Sequence, residues 1–366
     1  MKSITGLLVV ILALVVAPGL ATAEEGTGEY APPIDISEDF ETEVILQSLN
    51  NPTSLVMRPR GGTEGSPDFL LAESGAGRIV QFSLNSPSES REVITGFKPQ
   101  EFGKQPAFRL GLWTLDFLTR TKLMVAGGVQ QEGKDVIAVY SLPDNDKVLD
   151  VEQYDHLSSP IQADTTAKDE TTGDSKPGFI KIARSETRVF LTYGAEGAAG
   201  AIFQVKIEAN RLEYVQPFVT AEQNTTSPWP TGITLTPSSR PTFIVVSRLG
   251  KLDAERDSRL DFHIPSSGAR SLALATGLFD VVALAYSPSG QLYALDFAWH
   301  EEDAGGVYRL DDYRLGGQQA CRAAKIADVR RPTSLLFGPD GALYVTAFGS
   351  GENEQNGFVL KITGEL

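Results

Sequence analysis

The feature that most constrains this chain is a segment that recurs six times in phase. Its clearest copy begins at Arg330 and reads RRPTSLLFGPDGALYVTAFGSGENEQNGFVLKI. Pro332 leads into the apolar run Leu335, Leu336, Phe337, and the tight turn Gly338, Pro339, Asp340, Gly341 follows. A second strand at Leu343, Tyr344, Val345 and a third at Phe358, Val359, Leu360 flank a polar loop. The turn has a mechanism: Pro presets φ, Asp bonds back to the backbone, and Gly accepts a positive φ. Equivalent starts fall at Pro52, Leu110, Pro177, Pro230 and Val281, so successive copies begin 58, 67, 53, 51 and 51 residues apart. Short strands repeating at such a period predict an all-β, six-bladed β-propeller with four antiparallel strands per blade. A β-sandwich or a pair of barrels is the competing reading, but neither needs six units in phase.

The last blade runs out of chain after three strands. Residues 42–49 (TEVILQSL) alternate like a strand and precede the first copy. Within them, Glu43 to Ser48 is expected to be the outer strand of the C-terminal blade, closing the ring and removing an exposed sheet edge. Outer strands elsewhere are the weakest signals; that of blade 2 is expected at residues 147–153.

The 366 residues carry a formal net charge of −15. That balance argues against nucleic acid, whose phosphates need basic patches, and against an anionic membrane surface. Residues 1–23 have the pattern of a signal peptide: Lys2, an apolar run over 7–16, a break at Pro18 and Gly19, and a small-residue cleavage site ending at Ala23. An uncleaved anchor is the alternative. The expectation is a secreted or periplasmic monomer with a flexible acidic leader over 24–41 and the propeller over 42–366. The lone Cys321 allows no internal disulfide, so the core must carry stability.

In an up-and-down blade, the loops entering strand one and joining strands two and three share a face. Here those loops are long, as in residues 97–109, 156–176 and 297–305, whereas most turns joining strands one and two are tight. Long loops on a rigid scaffold are where binding sits, so this face is expected to take a small molecule, glycan or protein. The residues ending strand two are Glu73, Gly127, Gly194, Arg248, Asp296 and Ala347, a ring around the channel mouth. Glu73 and Asp296 are candidate ligands for Ca²⁺ or another divalent metal, which requires several converging oxygens. The other reading of these acids is solvated loop charges and turn-stabilising groups. Among three histidines, His300 stands on the favoured face in FAWHEED and is the candidate general base; Trp299 beside it is a candidate stacking platform. His156 opens a polar loop and His263 lies in a predicted strand. No zinc spacing, serine-hydrolase elbow or phosphate loop occurs.

The segments FGPDGALYVTAFG with FVLKI, SPSGQLYALDFAWHEEDAGGVYRLD, and PTSLVMRP with LLAESGAGRIVQFSL resemble blades of the glucose/sorbosone dehydrogenase, gluconolactonase and NHL-repeat propellers, a TolB-like group. The resemblance covers blades 1, 5 and 6 well and blades 2 to 4 loosely. It implies a site at the channel mouth, using a quinone in the dehydrogenases and a metal held by Glu, Asn and Asp in the lactonases. The dehydrogenases place a catalytic His just before the FGPDG-type segment, and this chain has Arg330 and Arg331 there. Two functions follow. One is a non-catalytic binding propeller whose long-loop face offers Glu73, Arg248, Asp296, Trp299, His300 and Arg331. The other is a divergent sugar oxidoreductase or metal-dependent lactone hydrolase.

Overall fold

The computed structural model describes residues 30–59, 67–103, 106–131, 134–143, 145–161, 178–194, 200–219, 229–238, 242–249, 255–350 and 355–366. The expected signal peptide and most of the 156–176 loop lie outside these residues.

Six sheets, each with four antiparallel strands ordered from the channel outward, form a six-bladed propeller. The inner strands are Pro52–Met57, Thr114–Thr119, Phe179–Arg184, Trp229–Leu235, Val281–Tyr286 and Pro332–Phe337. The second strands are the most apolar: Phe69 to Ala72, Leu123 to Ala126 and Leu343 to Val345 are buried on both faces because a blade packs against neighbours on each side. Inter-blade layers are thus apolar, for example Leu70, Ile79, Ile94, Leu115, Val125 and Tyr140 between blades 1 and 2.

Ring closure follows the sequence expectation. Glu41–Leu49 pairs antiparallel with Gly357–Thr363, with Glu43 opposite Lys361 and Val44 opposite Leu360, so one sheet joins the two ends of the fold. Bulges at Val44/Leu46 and Leu46/Leu49 bend this edge.

Two outer-edge expectations need correction. Residues 30–40 do not extend away as a leader. Ile34–Asp35 adds a parallel fifth strand to blade 5, opposite Ala324 and Lys325, and Ile36 N–H donates to the Lys325 carbonyl at 2.9 Å. Ala31 is buried. The polar sequence hid this strand because its backbone, rather than its side chains, carries the pairing. In blade 2 the outer strand is the two-residue His156–Leu157, not 147–153. Leu149–Asp150 instead runs parallel to Ile94 and Thr95 of blade 1. Leu149 is drawn into the blade 1–2 cluster, and the Tyr140 hydroxyl donates to the Val151 carbonyl at 2.7 Å.

Candidate ligand-binding channel

The inner strands approach closely because small hydroxyl residues stand where they enter the ring. The Thr333 Oγ1 donates to the Pro52 carbonyl of the next blade at 2.6 Å, Thr53 to Leu112 at 2.8 Å, Thr114 to Ile180 at 2.8 Å, and Thr231 to Val281 at 2.5 Å. These residues pass a hydroxyl from one blade to a carbonyl of its neighbour, satisfying buried groups that inter-strand pairing leaves over. One position after Thr53, Thr231 and Thr333 the residue is small. A Cβ on Gly232 would meet Ala283 Cα at 2.8 Å, and the equivalent places hold Ser54 and Ser334. The pair Pro-Thr at 52–53, 230–231 and 332–333 was visible in sequence, but its role across blades was not.

At the long-loop face the channel mouth is filled. The segment between blades 1 and 2 forms a small hairpin, Gln100–Phe102 with Phe108–Leu110. Phe102 packs among Trp113, Trp299 and Trp229, with ring centroids 4.9, 6.2 and 6.3 Å away. Phe108 packs against Phe348, Trp299 and Phe297 at 5.1, 5.6 and 6.0 Å. Gly103 holds φ +84°, and a Cβ there would lie 2.5 Å from Trp299 Cζ2, so glycine is required for this approach. A void of about 50 Å³ remains among Phe102, Trp113, Trp299 and Phe348.

The sequence candidates surround this closure without converging on a common point. Glu73 is buried, accepts the Asn50 N–H at 2.9 Å and pairs with Arg78 at 2.8 Å. Asp296, also buried, accepts N–H groups from Phe279, Asp280 and Ala298 at 3.0, 2.7 and 3.3 Å; burial still pushes its carboxyl upward. Arg248 is buried in an ion pair with Asp261, around which Arg259 and Arg270 also gather. Burial pulls its guanidinium down while Asp261 acts in the opposite direction. Arg331 holds φ +53°, lies over the Phe108 ring at 5.1 Å and pairs with Glu302 at 3.1 Å. Trp299 is half-buried in the aromatic closure, and its backbone N–H donates to Asp280 at 2.6 Å. His300 is exposed. His156 Nε2 lies 2.8 Å from the Leu212 carbonyl, and the buried His263 Nδ1 lies 2.8 Å from that of Gly268.

These surroundings do not fit a resident metal. Glu73 and Asp296 already receive backbone N–H groups, and no three His, Cys, Asp or Glu side chains among the described residues are grouped to hold an ion. Nor does a quinone fit the mouth, since ligand sites commonly run from about 300 Å³ upward and the void is far smaller.

The roomier space lies deeper. A cavity of about 360 Å³ lies between the six inner strands, each of which contributes to its lining. Lys181 of blade 3 lines both this cavity and the small void in the mouth. Its Nζ donates to the Thr53 carbonyl at 2.9 Å and the Thr333 carbonyl at 3.0 Å, on blades 1 and 6. Burial lowers the Lys181 ammonium to about 7. Sequence reasoning passed over Lys181, although the strand register sets it where blades 1, 5 and 6 carry Leu55, Leu284 and Leu335. Asp116 also lines this cavity, with Arg184 Nε 3.4 Å from its carboxylate.

The architecture is thus that of a six-bladed propeller with aromatic side chains packed at its upper mouth and a larger cavity among its inner strands. The chain matches no protein-family model and no curated protein. Among solved structures it is similar to an oxidoreductase described as a glucose dehydrogenase from Thermus thermophilus. The TM-score is 0.59 at 17% identity, over 88% of this chain and all of that one. A second glucose dehydrogenase gives 0.55 at 17% identity, over 89% of this chain and 100% of the other. A gluconolactonase from Xanthomonas campestris gives 0.50 at 9% identity, over 92% and 95%. At these identities the likeness is one of fold.

Proposed function

We propose that this protein is an exported, non-catalytic binding propeller. The observation that carries this reading is the aromatic closure: Phe102 and Phe108 occupy the mouth where a substrate and cofactor would enter. The acids and bases near that mouth support the same reading, because Glu73, Asp296 and Arg248 are engaged in internal hydrogen bonds and ion pairs. The ligand then engages either the outer surface of the long loops or the cavity among the inner strands. Export rests on Lys2, the apolar run after it and the small residues ending at Ala23.

The likeness to glucose dehydrogenases and a gluconolactonase favours a second reading, a divergent sugar oxidoreductase or lactone hydrolase. The two separate in one experiment. Purified protein is heated with and without Ca²⁺ and pyrroloquinoline quinone, then assayed on a panel of aldoses and sugar lactones. A ligand that binds only the folded state raises Tm by mass action. The binding reading expects no shift and no turnover; a shift of several degrees with turnover would overturn it. N-terminal sequencing of protein recovered from the exported fraction checks cleavage after Ala23.

A further inference from the structure

We propose that the crevice between blades 4 and 5 is a binding site for a small organic ammonium ion with a hydrocarbon body. The crevice shares no described lining residue with the channel cavity or the mouth, so the proposal goes beyond the reading given above and stands apart from it.

The crevice arises from strands of unequal length. In blade 5 the hairpin Gly306–Leu315 with Gln318–Asp328 outruns the second strand. Leu292 pairs with Leu310, and the rungs from Asp311/Arg322 to Leu315/Gln318 project beyond it. Blade 4 stands opposite with Leu260, Phe262 and Leu274. The space between them is a cavity of about 430 Å³, within the range of small-molecule sites. Leu260, Leu274, Leu292, Leu310 and Cys321 are its buried, apolar lining. Half-buried Phe243, Phe262 and Tyr286 wall it, the two Phe rings edge-on at 6.2 Å. Ser271, Asp312 and Gln319 are its exposed lining residues.

Charge decides the ligand class. The described lining residues include Asp311 and Asp312 but no Lys, Arg or His. Asp311 is neutralised by Arg309, which donates to both carboxylate oxygens at 2.8 and 3.1 Å. The Gln291 amide donates to the Leu310 carbonyl at 2.7 Å. Asp312 is left without an ion pair or hydrogen bond among the described residues. It stands directly opposite Cys321, so both side chains lie on the face of the hairpin that packs on blade 4. Its field reaches the apolar lining: burial pushes the Cys321 thiol up to about 12, and Asp311 and Asp312 push it the same way. The crevice thus pairs one uncompensated negative charge with aromatic walls and an apolar interior. An ammonium group fits at Asp312 beside the ring faces, while its hydrocarbon body displaces water from the leucines. A carboxylate would meet like charge, and a polyol would find little to bond in the interior.

The test is calorimetric titration of the full chain, near neutral pH, with three probes of one shape: phenethylammonium, phenethyl alcohol and hydrocinnamate. Phenethylammonium is expected to bind with a Kd on the order of 1 mM, and the other two more weakly. Asp312 is exposed and makes no bond on which the fold depends. Asp312→Lys is therefore expected to fold, to bind phenethylammonium about tenfold more weakly and hydrocinnamate more tightly, and to leave the alcohol unchanged. Cys321 is the one cysteine of the chain and reports occupancy in the unaltered protein: phenethylammonium is expected to slow its reaction with a pyridyl disulfide. No binding of the ammonium ion, equal binding of the alcohol, an unchanged affinity in Asp312→Lys, or binding without protection of Cys321 overturns the site.

Discussion

Glu73 and Asp296 stand at the same register position of blades 1 and 5, opposite Pro52 and Val281, and each receives backbone N–H groups from the loop that enters its own blade. Two carboxylates that suggest a shared metal site are instead two copies of one structural device. Each orients an incoming chain so that the first inner-strand residue meets the ring correctly.

Asp296→Ala should therefore act on stability. Three buried N–H groups lose their acceptor, and the expected cost is about 3 kcal/mol. Urea unfolding measures it. Ligand affinity measured on the folded fraction should be unchanged, whereas a residue in a metal site would lose the ligand and keep most of its stability.

The aromatic closure offers an optical readout. All three tryptophans of the chain surround Phe102. Phe102→Ala should shift the intrinsic emission to the red and speed acrylamide quenching. Gly103→Val should do the same at greater cost, since its Cβ has nowhere to go beside Trp299 and its φ is positive. Unaltered emission in both variants would contradict the packing.

Ring closure can be tested by truncation. A chain beginning at residue 41 loses the Ile34–Asp35 strand and the buried Ala31 and should unfold cooperatively at a somewhat lower temperature. A chain beginning at residue 50 loses Glu41–Leu49 and exposes the edge of the last blade. It should lose the cooperative transition or aggregate. Similar melting curves for the two would refute closure by this strand.

Lys181 predicts a pH dependence. Its amine titrates near 7 in the fold and at an ordinary 10.5 when unfolded. Between those values the unfolded chain holds the extra proton, so this group makes stability rise with pH by about 1.4 kcal/mol per unit. Below pH 7 both states are protonated and the cost of burying the charge is present in full. Unfolding of the parent protein and Lys181→Met at pH 7.5 and 9.5 isolates the effect, because the slope attributable to Lys181 disappears in the variant.

The inter-blade hydroxyls are individually testable as well. Thr333→Val removes the donor to Pro52 and the contact to Thr346 while keeping the shape. A loss of about 1 to 3 kcal/mol is expected, with the blade pattern in far-UV circular dichroism retained.

By itself the sequence determined the blade number, the strand order within most blades and the closing strand. Those follow from local physics: a Pro-led apolar run, a Gly-containing turn and a second apolar strand recur in phase, and each copy needs a neighbour on both sides. Glu73 and Asp296 were legible as acids at equivalent places, though not as loop anchors. Only the tertiary structure decided the rest. Phe102 and Phe108 are ordinary loop residues until six blades bring Trp113, Trp229, Trp299, Phe297 and Phe348 around them. Lys181 is one lysine in an inner strand until the ring sets the carbonyls of Thr53 and Thr333 against it, from positions 128 and 152 residues away in the chain. Periodicity is written in neighbours along the chain, whereas a channel and its closure are made by residues far apart in sequence, which meet only when the ring shuts.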